Sequence, residues 1–182
     1  MSLEGRNCSS IATDVRKVCK WQPPQDGFLK FNVDGTMFSE LKKAGIGLVL
    51  RDSRGAVVMA TTVFEREVYE PATIELVVVL RGLQLCFPLR IPKLAIESDY
   101  LLLVQALQTE YETFSSNGNL LKGTKALMSY FQEVCIDHVN RMGNGVSYTL
   151  VRYAWNVSDV QTWWGNVPNF VDHSFWFDQV AM

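Results

Sequence analysis

Hydrophobic and polar positions begin to alternate at residue 28. In FLKFNVDGT, Leu29, Phe31 and Val33 alternate with Lys30, Asn32 and Asp34, the period-two mark of a strand with one buried face. KAGIGLVLRD and AVVMATTVFERE follow as two more β-rich runs, and DSRG between them reads as a hairpin turn ending at Gly55. Three consecutive strands predict an antiparallel meander. From residue 71 to about 87 the period lengthens, and Ile74, Val77, Val78, Leu80, Leu83 and Leu85 suit a helix buried on most sides. Val77, Val78 and Val79 lower its intrinsic propensity, so local preference and pattern conflict there.

KLAIES (93–98) reads as a short buried strand, and Asp99 stands near the N-cap of a helix over YLLLVQALQ. A polar loop over 109–119 leads to a helix at 120–132. VCIDHV then reads as a strand, and a glycine-rich turn opens a helix from about 146 to 156. The tail beyond is aromatic and without period. A meander followed by alternating helices and strands predicts an α+β or mixed α/β domain with helices on the faces of one sheet. Residues 1–26 carry no period and end in WQPPQDG, an extended stretch and a turn. They read as an arm or linker, with Trp21 a candidate to pack on a single domain over 27–182.

Composition narrows the class. Of 182 residues, 48% are hydrophobic and 20% charged, a globular balance. The longest apolar run, LVVVL, is far short of the roughly 18 residues of a membrane span. The N-terminus has no apolar signal-peptide segment, so the expected location is intracellular, cytoplasmic or nuclear, with no membrane partner. Four cysteines without a CxxC spacing fit a reducing compartment and argue against zinc; Cys86 and Cys135 read as buried small hydrophobes. A net charge of −2 counts against tight nucleic-acid binding without excluding a local basic patch. Arg51, Arg81, Lys93 and other bases are scattered and read as solvated surface.

Three acids stand at suggestive places. Asp34 precedes Gly35 on the first strand, Glu75 lies in the first turns of the first helix, and Asp99 follows the fourth strand. Carboxylates gathered at one sheet end would bind hard divalent cations, and two such ions about 3.5–4 Å apart can clamp a phosphodiester displacement. On spacing alone, solvated caps and turns explain the same acids.

WQPPQDGFLKFNVDGT, AGIGLVLRDSRGAVVMA, IELVVVLRGLQL, LAIESDYLLLVQAL and DHVNRMGN occur in this order. Together they resemble the plant reverse-transcriptase-like branch of the ribonuclease H superfamily, from about Trp21 onward. The resemblance implies the ribonuclease H-like fold, a five-stranded mixed sheet flanked by helices. It implies four carboxylates binding two Mg²⁺ or Mn²⁺ ions, and cleavage of the RNA strand of RNA–DNA hybrids. Carried over by motif, Asp34 is the bridging acid, Glu75 the helix acid and Asp99 the acid of E-S-D. His138 matches the histidine that helps move water and product, and Asn144 the substrate-positioning asparagine of the loop.

Counted from His138, Arg141 and Asn144 fall in register, Ser147 takes an alanine's place, and Tyr148 stands where the fourth aspartate belongs. Asp137 neighbours His138 on a strand and so faces the other way. Asp159 lies about three helical turns further on. A phenol is neutral at pH 7 and a poor ligand for Mg²⁺, so weakened metal binding and weak or lost turnover are implied. Two functions stay open: a two-metal endonuclease acting on hybrids, and a degenerate module that binds nucleic acid or protein. The tail aromatics Trp163, Trp164, Phe170, Phe175, Trp176 and Phe177 either complete the core or offer a patch to a protein partner.

Overall fold

The computed structural model describes residues 20–41, 43–66, 70–109 and 117–179. Residues 1–19 of the expected arm, with Cys8 and Cys19, and 110–116 of the expected loop lie outside the described residues. The meander is present as β1 (Leu29–Phe38), β2 (Lys43–Arg51) and β3 (Val57–Glu65). Between β2 and β3, Asp52 Oδ1 accepts from the N–H groups of Arg54 and Ala56, each at 2.9 Å, and Gly55 takes φ 78°. That left-handed position is one glycine adopts at no steric cost. Helix α1 (Pro71–Cys86) buries all three of its consecutive valines, so tertiary packing outweighs their poor propensity.

β4 (Lys93–Ser98), α2 (Leu101–Gln108), α3 (Gly118–Met128), β5 (Glu133–His138) and α4 (Gly145–Tyr153) follow. Tyr100, not Asp99, caps α2, and its N–H donates to Ser98 Oγ at 3.1 Å. α3 stops short of residue 132 because the N–H groups of Gln132 and Glu133 donate to the Pro92 carbonyl, turning the chain into β5.

The expected five-stranded sheet has six strands. β6 (Val160–Trp164) pairs antiparallel with β3, from Val63 opposite Val160 to Met59 opposite Trp164. The order is β5-β4-β1-β2-β3-β6, with β1–β4 and β4–β5 parallel. VQTWW lacks an alternating buried face, so its pairing was invisible to periodicity. A final helix, α5 (Asp172–Gln179), follows. α1, α2 and α3 cover the larger core on one face; α4 and the stretch leading into α5 close a smaller one around Val49, Ala60, Leu150 and Val171. Among the tail aromatics, Phe170 stacks on Tyr153 at 3.9 Å and meets Trp163 edge-on at 5.8 Å. Trp164 and Trp176 stay exposed.

A buried polar network ties the ends of the domain to its centre. The Trp21 indole N–H donates to Asn32 Oδ1 at 2.9 Å, and the Arg51 guanidinium lies 3.9 Å from the Trp21 ring centroid. Arg51 is fully buried, against the expectation of a solvated base, because its Nη1 donates to Asp178 of α5 at 2.7 Å and its Nη2 to Asn32 at 3.2 Å. Asn32 in turn donates to Glu97 at 2.8 Å, and Glu97 also pairs with Lys30. Burial pushes the Asp178 carboxyl up and the Arg51 guanidinium down, and their pairing acts against both. Cys86 is a buried thiol, pushed up to about 12 by desolvation. Cys135 is only half-buried and is disulfide-bonded, so reading it as a simple core thiol fails. Among the described residues no helix is long and apolar enough to cross a membrane.

Candidate active site

The parallel register of β1 and β4 ends with Val33 opposite Ser98, so Asp34, still paired with β2, lies beside Asp99 where the chain leaves β4. Two glycines let helices approach that end from opposite faces. A Cβ on Gly35 would sit 2.6 Å from Val78 Cγ2 of α1. On Gly47, the β2 partner of Asp34, it would strike the backbone of Ser147 and Val151 in α4. α1 thereby brings Glu75 to Asp34, and α4 brings Tyr148.

Asp34 is 6% exposed. Its carboxyl is pushed up to about 7, first by burial and then by Asp99, with Arg141 opposing. Glu75 is pushed up to about 8 by burial, then by Asp34 and Asp99, again against Arg141. Its Oε2 is buried without a hydrogen-bond partner. Oxygen donors, mutual repulsion and an unpartnered carboxylate oxygen all suit a hard divalent cation. Among the described residues, however, no three acidic, histidine or cysteine side chains already stand close enough to ligate one ion. The acids ring the sheet end without being drawn to a point.

His138 ends β5, exposed, with Nε2 3.3 Å from the Asp99 carbonyl oxygen. Asn144 is buried: its Nδ2 donates to the Val33 carbonyl at 2.7 Å, and its Oδ1 accepts from Ser147 Oγ at 2.7 Å. Its side chain fixes the start of α4 to β1 beside Asp34. Tyr148 lies in the first turn of α4, half-buried. Arg152 Nη1 donates to its Oη at 3.1 Å, and the Arg141 guanidinium sits 4.5 Å from its ring centroid. The Arg152 hydrogen bond brings the phenol below its ordinary pKa, although burial and Asp34 oppose the shift. Arg152 and Trp155 escaped the sequence reading. The available sign was the i, i+4 spacing of Tyr148 and Arg152, which places both on one helix face. With Thr36, Phe38, Arg141 and Tyr148 they line an open cleft of about 400 Å³.

Solved structures share this architecture. Ribonuclease H1 of Halobacterium salinarum NRC-1 is 18% identical with a TM-score of 0.65, covering 71% of this chain and 98% of that one. The N-terminal ribonuclease H domain of a Mycobacterium tuberculosis protein gives 19% and 0.64, covering 71% and 94%. LC11-RNase H1, crystallised with an RNA/DNA hybrid, gives 17% and 0.62, covering 70% and 96%. At such identities the likeness establishes the fold, which is ribonuclease H-like. No curated protein matches the chain significantly. The profile of the reverse transcriptase-like family matches residues 32–154, a span that runs from within β1 through α4 and contains Asp34, Glu75 and Asp99. The chain belongs to the reverse transcriptase-like family.

Proposed function

We propose that the chain is a nucleic-acid-processing domain of the ribonuclease H type that takes RNA–DNA hybrid at the acidic end of its sheet, with hydrolytic turnover weak or lost. The quoted motifs support the plant branch of the family. Asp34, Glu75 and Asp99 would hold Mg²⁺ or Mn²⁺, which when bound supplies the Lewis acidity that hydrolysis of a phosphodiester needs. His138, exposed at the rim, would help move water and product, and Asn144 holds α4 in position. Support for hybrid as ligand comes from the likeness to LC11-RNase H1, whose structure contains one.

The observation that carries reduced turnover is the surroundings of Tyr148. A neutral phenol with Arg141 over its ring and Arg152 on its oxygen stands where the family pattern has a carboxylate. The site gains positive charge where it would otherwise gain negative, and dications are held less tightly. A second reading, a degenerate module docking a protein partner, is favoured by Trp164 and Trp176, each 59% exposed in the tail.

Hybrid binding and cleavage in Mg²⁺ and Mn²⁺ titrations test the proposal. The protein should bind hybrid and cut it slowly or not at all. Tyr148→Asp should raise ion affinity and cleavage, and adding Asp34→Asn should abolish the gain. Robust cleavage by the unmodified protein, lost on Asp34→Asn, would show that three acids suffice. Absence of hybrid binding at every ion concentration would leave the protein-docking reading.

A further inference from the structure

The cleft beside the acids contains two guanidinium groups, and among the described residues neither Arg141 nor Arg152 makes an ion pair with a carboxylate. Both are exposed, and both are oriented by one tyrosine: Arg152 through its hydrogen bond to Oη, Arg141 through its stack on the ring. Beyond them the cleft is aromatic. Trp155 is 53% exposed, and its ring meets that of Phe38 in a T-shaped contact at 5.8 Å, which leaves about half of the indole surface open to the cleft and solvent. Thr36 adds a hydroxyl on the β1 side. Paired cations with an adjoining aromatic platform match a phosphate joined to a base. The volume, about 400 Å³, lies within the range of small-molecule sites.

We infer that this cleft is a nucleotide subsite: Arg141 and Arg152 take a phosphate, and the base stacks on Trp155. The subsite rests on the nucleic-acid reading above and extends it to a single-stranded nucleotide next to the acids. It needs no metal. Its cations are part of the chain, so occupancy persists where divalent ions are removed. Tyr148 thus has a positive role, as the post on which both guanidinium groups are set. The same chemistry could reach the cleft as a free mononucleotide or as a nucleotide within a strand.

Fluorescence anisotropy of fluorescein-labelled single-stranded RNA and DNA hexamers, in EDTA at low salt, tests the inference, with adenosine monophosphate as competitor. Binding should be weakened about fivefold or more by Trp155→Ala and by Arg152→Glu. Arg152→Ala should reduce the salt slope by about 1. Circular dichroism melts of these surface variants should match the parent, and Asp34→Asn should leave hexamer affinity undiminished. Competition by the mononucleotide assigns the site to free nucleotide; hexamer binding without competition assigns it to a strand, and both support the subsite. No hexamer or mononucleotide binding in EDTA, or binding indifferent to Arg152→Glu and Trp155→Ala, overturns it. Metal-dependent hybrid binding lost on Asp34→Asn is read separately, so the subsite and the hydrolytic reading can fail independently.

Discussion

Tyr148 changes more than one ligand, because residue 152 is matched to it. An aspartate introduced at 148 would lie one helical turn before Arg152, the favourable orientation for an i, i+4 ion pair. Arg152 would compete with any dication for the new carboxylate, so Tyr148→Asp with Arg152→Ala should cleave hybrid faster than Tyr148→Asp alone; equal rates would show that Arg152 does not compete. Asp34 and Glu75 give a prediction in pH. Their folded values, about 7 and about 8, stand above the roughly 4 of unfolded carboxyls. Between these values the folded state binds more protons, so the metal-free protein should lose stability as pH rises from about 4 to about 8. Melting temperatures across that window should decline, and Asp34→Asn should flatten the decline and raise the value at pH 8. Added Mg²⁺ at pH 8 should stabilise the parent and not the variant. A flat parent profile would mean the two carboxyls are not strained in solution. Asp34, Glu75 and Asp99 were legible because motifs fix them, whereas the Arg152 and Trp155 wall of the cleft belongs to no quoted motif and emerges only when α4 meets β1.

Helix α4 shows how an element's placement can rest on very few atoms. It reaches β2 because Gly47 leaves room for its backbone, and it is anchored to β1 by Asn144. Asn144→Ala removes both side-chain hydrogen bonds, the one accepted from Ser147 and the one donated to the Val33 carbonyl in the buried sheet, at a cost of about 1–3 kcal/mol. Urea denaturation should show that loss; an unchanged midpoint would mean packing on Gly47 alone holds the helix. Most elements were legible: β1 alternates, β2 to β5 are short β-rich or apolar runs bounded by turns, and α1 was found despite its valines because burial dominates propensity. β6 was not. Its five residues make a strand only by pairing with the exposed side of β3, a partner about a hundred positions away, and no local pattern encodes that. Pairing there also covers what would otherwise be an open sheet edge.

For the molecule as a whole, the decisive long-range contact is Arg51 with Asp178, 127 positions apart and buried together. Asp178→Ala leaves a guanidinium in the core without its counter-charge, for which a loss of about 3–5 kcal/mol is expected. Replacing both partners, Arg51→Met with Asp178→Leu, should cost less than Asp178→Ala alone, and a double-mutant cycle in urea measures the difference. Additive costs would show that each side chain is held by other neighbours. Sequence reading saw Arg51 as a surface base because charge gives no hint of a partner so far along the chain. The separation also sets an order of events during synthesis. Trp21, Asn32 and Arg51 leave the ribosome before the carboxylate that neutralises the guanidinium, which follows more than a hundred residues later. Until α5 has emerged, Arg51 has Trp21 and Asn32 beside it but not the Asp178 carboxylate, so burying the guanidinium beforehand would cost its main counter-charge.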